Sequence, residues 1–291
     1  MPEQDSSKSL SDARLIVTLP DGKLHTMYEP TSQKHLEFHQ STKKNLIAYG
    51  NRGGGKSVLL RFDGHMRALS VPNINLILVR RTYPELLRSH LIHIAAEMKL
   101  LGGDYNKSEH IAYYPNGSKL FFSHVASEAD ALNLLSAEFL AAYFDELSTI
   151  PWDFFVKLCA SVRVGGALKD AGHIGVVRAA TNPLGPSAAE IFSYFVNKDV
   201  EPELDTDYDP ADWDSIKIQM EDNKHIDHEQ YRKRFAGMPA YLKKAWLEGE
   251  FALENQLFDF KPKGPEGKPY HVIQELPTIN GTPIVFKDWA Y

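Results

Sequence analysis

The sequence predicts an α/β fold, a mostly parallel central sheet flanked by helices with a small lid subdomain added. Three observations predict it. Gly50-Asn51-Arg52-Gly53-Gly54-Gly55-Lys56-Ser57 fits the phosphate-loop pattern G-x-x-x-x-G-K-[ST] at every fixed position. An apolar run, Leu46-Ile47-Ala48-Tyr49, precedes it, and Val58-Leu59-Leu60-Arg61-Phe62 after it reads as helix. Strand–loop–helix is the context a P-loop NTPase fold needs. Further apolar runs alternate with helical stretches, and one of them, Phe139–Phe144, ends in Asp145-Glu146.

Taken in order, residues 1–29 form an N-terminal arm. Residues 1–12 are polar and expected to be disordered. Leu15, Val17, Leu19 and Leu24 around Asp21-Gly22 predict a small hairpin over 13–28. Residues 30–199 read as the core. Pro30–His39 is a short helix entering the first core strand, and residues 56–70 form the helix after the loop. Ile74–Val79 is a buried parallel-type strand ending in Arg80-Arg81, followed by a helix from about Pro84 to Leu100. Pro115-Asn116-Gly117-Ser118 joins a hairpin, and Ser127-Glu128-Ala129-Asp130 has the spacing of a capping box. Trp152–Val162 reads as helix, with Arg163 near its end. Strand Ile174–Ala180 runs into Thr181-Asn182-Pro183, and Ser187 opens a helix reaching about Asn197.

Residues 200–260 are expected to be an acidic loop and a helical lid subdomain. The acidic stretch 199–214 reads as loop, and Asp227 as the cap of a following helix. Residues 261–291 comprise a Pro/Gly/Lys-rich linker, 261–269, and a strand, Pro283–Tyr291, carrying Asp288.

The 291 residues, 43% hydrophobic and 24% charged, are ordinary for a globular protein, and no apolar run approaches membrane-spanning length. The N-terminus lacks the basic and apolar regions of a signal peptide. A lone cysteine, Cys159, excludes an internal disulfide and, in an apolar helical stretch, reads as a core residue. This favours a reducing, cytoplasmic setting. The net charge is −6, but residues 199–214 alone hold eight carboxylates and no Lys or Arg, so the remainder is nearly neutral. Charge neither demands nor excludes a nucleic-acid partner.

The phosphate loop brings its own chemistry. Its glycines let backbone N–H groups turn inward around an anion, and the helix beyond contributes its positive end. Lys56 can reach the β- and γ-phosphates of ATP, and the Ser57 hydroxyl can ligate Mg²⁺. An apolar strand ending in Asp145-Glu146 is the Walker B pattern. Asp145 is expected to hold Mg²⁺, largely through water, and Glu146 to orient and polarise the attacking water. Asn182, just beyond a buried strand, stands either where a γ-phosphate is sensed or in an ordinary Asn-Pro turn. His35 and His39 have i, i+4 metal spacing, yet no third ligand accompanies them, so they read as surface or packing histidines.

These residues resemble the large, motor subunit of tailed-phage DNA-packaging terminases over roughly 30–260. The arginine inside Gly50–Ser57 is similar to that family's arginine-bearing Walker A. Pro30-x-x-Gln33 resembles its adenine-reading Q motif. Val79-Arg80-Arg81-Thr82-Tyr83-Pro84-Glu85-Leu86 resembles its second-strand signature, Ala180-Thr181-Asn182-Pro183 its coupling motif, and Trp246-Leu247-Glu248-Gly249-Glu250-Phe251 the segment closing its ATPase region.

The resemblance implies an ATP-driven translocase of double-stranded viral DNA in the infected bacterial cytoplasm. It would act transiently at the procapsid portal, with the portal protein and small terminase subunit as partners and a homo-oligomeric ring as the assembly. It also implies an arginine that stabilises charge on the transferring phosphate, with Arg52 the first candidate and Arg163 and Arg81 behind it. Nucleotide contacts would come from Gln33 and from Gly50, Asn51, Arg52, Gly53, Gly54, Gly55, Lys56 and Ser57. Family members continue into a ribonuclease-H-type nuclease domain, of which Asp288 resembles the first metal carboxylate. One carboxylate cannot assemble a two-metal site, so this chain alone is not expected to cut DNA.

A helicase or recombination ATPase would carry further ordered motifs after Walker B, where a Thr-Asn-Pro turn stands instead. An intact Asp145-Glu146 argues against a non-hydrolysing ATP-binding assembly module, and the missing carboxylates against a free-standing nuclease.

Overall fold

The computed structural model describes residues 13–135, 137–201, 205–251, 278–279 and 282–283. The chain divides into two units, Met1–Leu253 and Glu254–Tyr291. In the second, Thr278–Ile279 and Thr282–Pro283 pair antiparallel. Residues 1–12, the linker 261–269 and Asp288 lie outside the described residues.

The first unit begins with the expected hairpin, β1 (Leu15–Thr18) antiparallel to β2 (Leu24–Tyr28). Helix α1 (Gln33–Gln40) follows, its N-terminus closed by the Ser32 hydroxyl accepting from the His35 amide. Then come β3 (Asn45–Tyr49), helix α2 (Lys56–Ser70) and β4 (Asn75–Arg80). The helical run expected from Pro84 is present, but it is interrupted. An α turn at Tyr83–Leu86 passes into a π turn, Leu87–Leu91, before α-helix resumes over Ile92–Leu100. Three strands follow: β5 (Asp104–Asn106), β6 (Ile111–Tyr113) and β7 (Lys119–His124). The capping box at Ser127 opens helix Glu128–Leu134 as the spacing predicts. Next are β8 (Ala141–Asp145), helix Trp152–Cys159, β9 (Val176–Thr181) and a helical run over 188–197 with a second π turn.

With β10 (Trp213–Lys217), the strands form one eight-stranded sheet in the order β10-β3-β9-β8-β4-β7-β6-β5. Pairings from β10 to β7 are all parallel, and β6 and β5 continue it antiparallel at one edge. The other edge corrects the sequence reading. β10 (Trp213–Lys217) lies parallel to β3 along its whole length, so the end of the acidic stretch is strand and not loop. Asp212 and Asp214 masked a segment whose Trp213, Ser215 and Ile216 suit a half-buried edge.

Strand alternation divides the core between the two faces of the sheet. Leu46, Ala48, Leu76, Leu78 and Tyr143 pack against Leu59, Leu60 and Met66 of α2. Ile47, Ile77, Val79, Ala142 and Phe144 face Phe155, Leu158, Ile191 and Phe195 of the opposite layer. Cys159 packs against that second cluster, and burial pushes its thiol pKa up, as befits a packing residue. Among the described residues, no helix is long and apolar enough to cross a membrane.

One buried charge ties several elements together. Asp63 of α2 accepts from His39 Nδ1 at 2.9 Å and from the Tyr143 hydroxyl at 2.8 Å, with Arg67 Nη2 3.6 Å away. His39 Nε2 in turn meets the Tyr28 hydroxyl at 2.8 Å, so the hairpin, α1, α2 and β8 share one network. His39 is thus a packing histidine, as the sequence suggests. Burial alone would raise the Asp63 pKa, but Arg67 and His39 outweigh it and hold the carboxyl well below its ordinary 3.8. A depressed folded pKa gives stability that is present above about pH 4 and lost as pH falls further. Asp63→Asn is expected to cost about 3 kcal/mol or more at pH 7 and to flatten the acid limb of Tm against pH. A variant melting like wild type at pH 7 would contradict this.

Candidate functional site

β9 lies between β3 and β8 in the sheet. The phosphate loop leaves β3, Asp145-Glu146 closes β8, and Asn182 follows β9, so three chemically distinct segments emerge side by side at the carboxyl edge. Ligands bind parallel sheets at this edge. A cavity of about 400 Å³ opens there, and Arg52–Val58, Asp145, Glu146, Asn182, Asn223, Ile226 and Tyr231 line it.

The loop's shape follows from its glycines. Gly55 has φ +80° at the entry to α2, a conformation that side chains resist. At Gly50 space decides: an added Cβ would stand 2.0 Å from the carbonyl oxygen of Ile218, just past the end of β10. Lys56 is buried, its Nζ donating to the Asn51 carbonyl at 2.6 Å and to Asn182 Oδ1 at 3.1 Å. Burial lowers its pKa to about 8, against the pull of Glu146 and Asp145 and with some help from Arg52.

Asp145 is sealed from solvent and fully engaged. Ser57 Oγ donates to its Oδ1 at 3.0 Å, while His90 Nε2 at 3.0 Å and Arg80 Nη1 at 3.4 Å meet its Oδ2. Burial would raise its pKa. The His90 hydrogen bond, with Arg80 and Ser57, overcomes that and holds it at about 2. Glu146 moves the other way: burial and the neighbouring Asp145 charge raise its pKa, against Lys56, Arg80 and Asn182. Its backbone is left-handed, with φ 55°, a conformation that costs a non-glycine residue about 1 kcal/mol or more. Burial likewise lowers the His90 pKa, against the pull of Asp145.

Asn182 joins the two halves of the site. Its Oδ1 accepts from Lys56, and its Nδ2 donates to Glu146 Oε1 at 2.8 Å. Ser148 holds it in place: its hydroxyl contacts the carbonyl oxygens of Asn182 and Leu184, at 3.0 and 2.9 Å. The turn after Glu146 and the turn holding Asn182 are therefore one unit.

The remaining expected residues divide. Arg52 is exposed, lines the cavity and makes no ion pair among the described residues; its guanidinium lies 3.9 Å over the Trp246 ring. Gln33 stands exposed on the first turn of α1 and does not line the cavity. The contact from this region comes instead from His35, whose Nε2 lies 3.0 Å from the Gly54 carbonyl oxygen. Arg81 donates to the Val125 carbonyl, and Arg163 pairs with Glu138 at 3.8 Å on the surface.

Arg80 and His90 were not singled out in the sequence. Arg80 carried a signal, since it immediately follows the apolar strand run. His90 carried none, because it reaches Asp145 from a helix fifty-five positions away. The cavity-lining Asn223, Ile226 and Tyr231 were equally silent.

The closing segment clamps the loop. Arg52 N donates to the Trp246 carbonyl and Asn51 Nδ2 to that of Leu247, both at 2.9 Å. At Gly249, φ +64°, an added Cβ would come within 2.6 Å of the Asn51 nitrogen. Gly249→Ala is therefore expected to destabilise the fold by about 1–3 kcal/mol from backbone conformation alone. Gly165→Ala, where nothing lies within 4 Å of the new Cβ, is the control. Equal Tm values for the two variants would refute this tie.

The family model described as Phage terminase large subunit matches residues 42–246. Among solved structures, the large terminase of a thermophilic bacteriophage aligns with a TM-score of 0.61 at 16% identity, covering 77% of this chain and 54% of that protein. The same protein solved in complex with ADP gives 0.58 at 17%, covering 76% and 54%. The large terminase ATPase domain of Thermus phage P74-26 gives 0.55 at 17%, covering 77% and 94%. At these identities the likeness shows the fold, and the chain spans about half the length of the first of these proteins. No curated protein matches the sequence.

Proposed function

This chain belongs to the phage terminase large subunit family, and from that premise we propose that it is the ATP-hydrolysing motor that drives double-stranded viral DNA into a procapsid. The observation that carries the reading is the Asn182 bridge between Lys56 and Glu146. It links a phosphate-binding cation to a water-orienting carboxylate across one cavity. The ADP complex of the phage homologue supports the same ligand here.

The loop amides and Lys56 bind the β- and γ-phosphates, with Gly50, Asn51, Gly53, Gly54 and Gly55 giving the loop its curvature. Ser57 and Asp145 offer hard oxygen donors at 3.0 Å from one another. Among the described residues no group of three or more His, Cys, Asp or Glu is placed to hold a metal ion by itself. Such a sparse set suits Mg²⁺, which keeps waters and takes phosphate oxygens as ligands. Bound with the nucleotide, Mg²⁺ supplies neutralisation of the β/γ oxygens.

Glu146 orients the attacking water and accepts its proton, held in place by Asn182. Arg52 supplies charge to the transferring phosphoryl oxygens from the cavity wall, its guanidinium kept near the loop by Trp246. Thr31 and His35 stand beside the loop, and Gln33, exposed on the first turn of the same helix as His35, is the residue to which the family resemblance assigns adenine reading. In the assembled motor, subunits would ring the portal with the small subunit in the host cytoplasm. The division into core 30–199, lid 200–260 and a following nuclease-type segment belongs to this reading.

Phosphate release from Mg·ATP by the purified chain tests it. Lys56→Ala is expected to abolish nucleotide binding. Glu146→Ala should keep binding but lose about 100- to 10,000-fold in kcat; near-wild-type turnover would remove the assigned role.

Arg52→Ala is expected to lower kcat by about 100- to 1,000-fold with little change in KM. A change confined to KM would make Arg52 a binding residue only. Portal-independent strand separation would point to a helicase, and metal-dependent plasmid nicking to a nuclease.

A further inference from the structure

We propose that His90 is a positioning residue that fixes Asp145 for metal binding, with Arg61 setting its tautomer. This rests on the reading of Asp145 as the carboxylate of the nucleotide's metal.

His90 is completely buried, within the π turn Leu87–Leu91. Its Nδ1 faces Arg61 Nη1 at 3.5 Å, and its Nε2 faces Asp145 Oδ2 at 3.0 Å. A guanidinium has only donors, so Nδ1 accepts and Nε2 carries the hydrogen given to Asp145. The two carboxylate oxygens are thereby divided. Oδ2 is held by His90 and Arg80 on the protein side, and Oδ1 faces Ser57 at the cavity.

Arg61 is itself held. Its Nε lies 3.1 and 3.0 Å from the two Glu97 oxygens. Glu97 Oε2 meets His65 Nε2 at 3.0 Å, and His65 Nδ1 meets the Tyr114 hydroxyl at 2.6 Å. Arg61 and His65 both stand on α2, the helix that begins at Lys56. The helix carrying the phosphate loop therefore also sets the orientation of the metal carboxylate. A charged chain of this kind, buried except at the partly exposed Glu97, is costly to assemble, and its two ends meet at the site and at the β6–β7 hairpin.

Outer partners of a ligating carboxylate typically contribute about 10- to 100-fold in metal affinity. The test titrates Mg²⁺ against binding of a fluorescently labelled ADP, with Mg²⁺-free binding as a separate measurement. His90→Leu is expected to raise the Mg²⁺ midpoint about 10- to 100-fold while leaving metal-free binding near wild type, with Tm lowered by the loss of a buried partner of Asp145. His90→Gln, whose amide can replace the Nε2 donor, should recover most of the loss.

An unchanged midpoint in a folded His90→Leu overturns the proposal, as does a His90→Gln midpoint as poor as that of His90→Leu. If His90→Leu does not fold, His90→Gln is set against His90→Asn, whose shorter amide stops short of Asp145; equal midpoints overturn the proposal. Asp145→Asn separates the two inferences. No change in metal dependence there sinks the reading of Asp145, whereas a lost dependence with a normal His90→Leu sinks only the positioning role.

Discussion

The fold is organised around a carboxylate that it keeps ionised where water does not reach. Asp145 ends the central strand β8 with 1% exposure. An unpaired charge there would be prohibitively expensive, and removing a partner of a buried pair typically costs about 3–5 kcal/mol. Each partner of Asp145 therefore constrains a different element. Ser57 fixes the start of α2, Arg80 the end of β4, and His90 the π turn that follows. Strand order completes the constraint. With β9 between β3 and β8, Asn182 is the residue that can reach both the loop lysine and Glu146.

Burial raises the proton affinity of both adjacent carboxylates, and their different partners then move them apart. Asp145 has three donors and stays ionised. Glu146 has a like charge beside it and fewer donors, so its proton affinity rises. Neighbouring acids with divided environments can divide their roles, and the proposed mechanism uses one as ligand and the other as proton acceptor. The left-handed backbone of Glu146 makes the difference possible, because it turns the side chain toward Asn182 instead of along the strand.

Much of this was legible in the sequence because it is local. The loop pattern, the continuous apolar runs, the capping box at Ser127, the N-cap at Asp227 and the Asp-Glu at a strand end are all written within a few residues. What escaped reading is what the chain assembles across distance. The edge strand Trp213–Lys217 hid behind its flanking aspartates, and the contact between His35 and the Gly54 carbonyl joins residues nineteen positions apart. His90 gives no local sign at all: its spacing from neighbouring polar residues is that of an ordinary helix. The π turns were equally unreadable, since an added residue per turn leaves no clear mark on hydrophobic periodicity.

The same distinction explains why Arg52 is so informative. In the loop pattern its position accepts any residue, so the pattern says nothing about it. The structure gives it a specific place, stacked on Trp246 with its amide bonded to the Trp246 carbonyl. Gly249 then packs its backbone directly on Gly50 and Asn51. The segment 246–249 therefore holds the phosphate loop by main chain on one side and by a ring on the other. A displacement of that segment must therefore carry Arg52 and its loop with it. Backbone contacts of this closeness leave no slack to absorb such a motion, so the loop and its closing segment respond as one body.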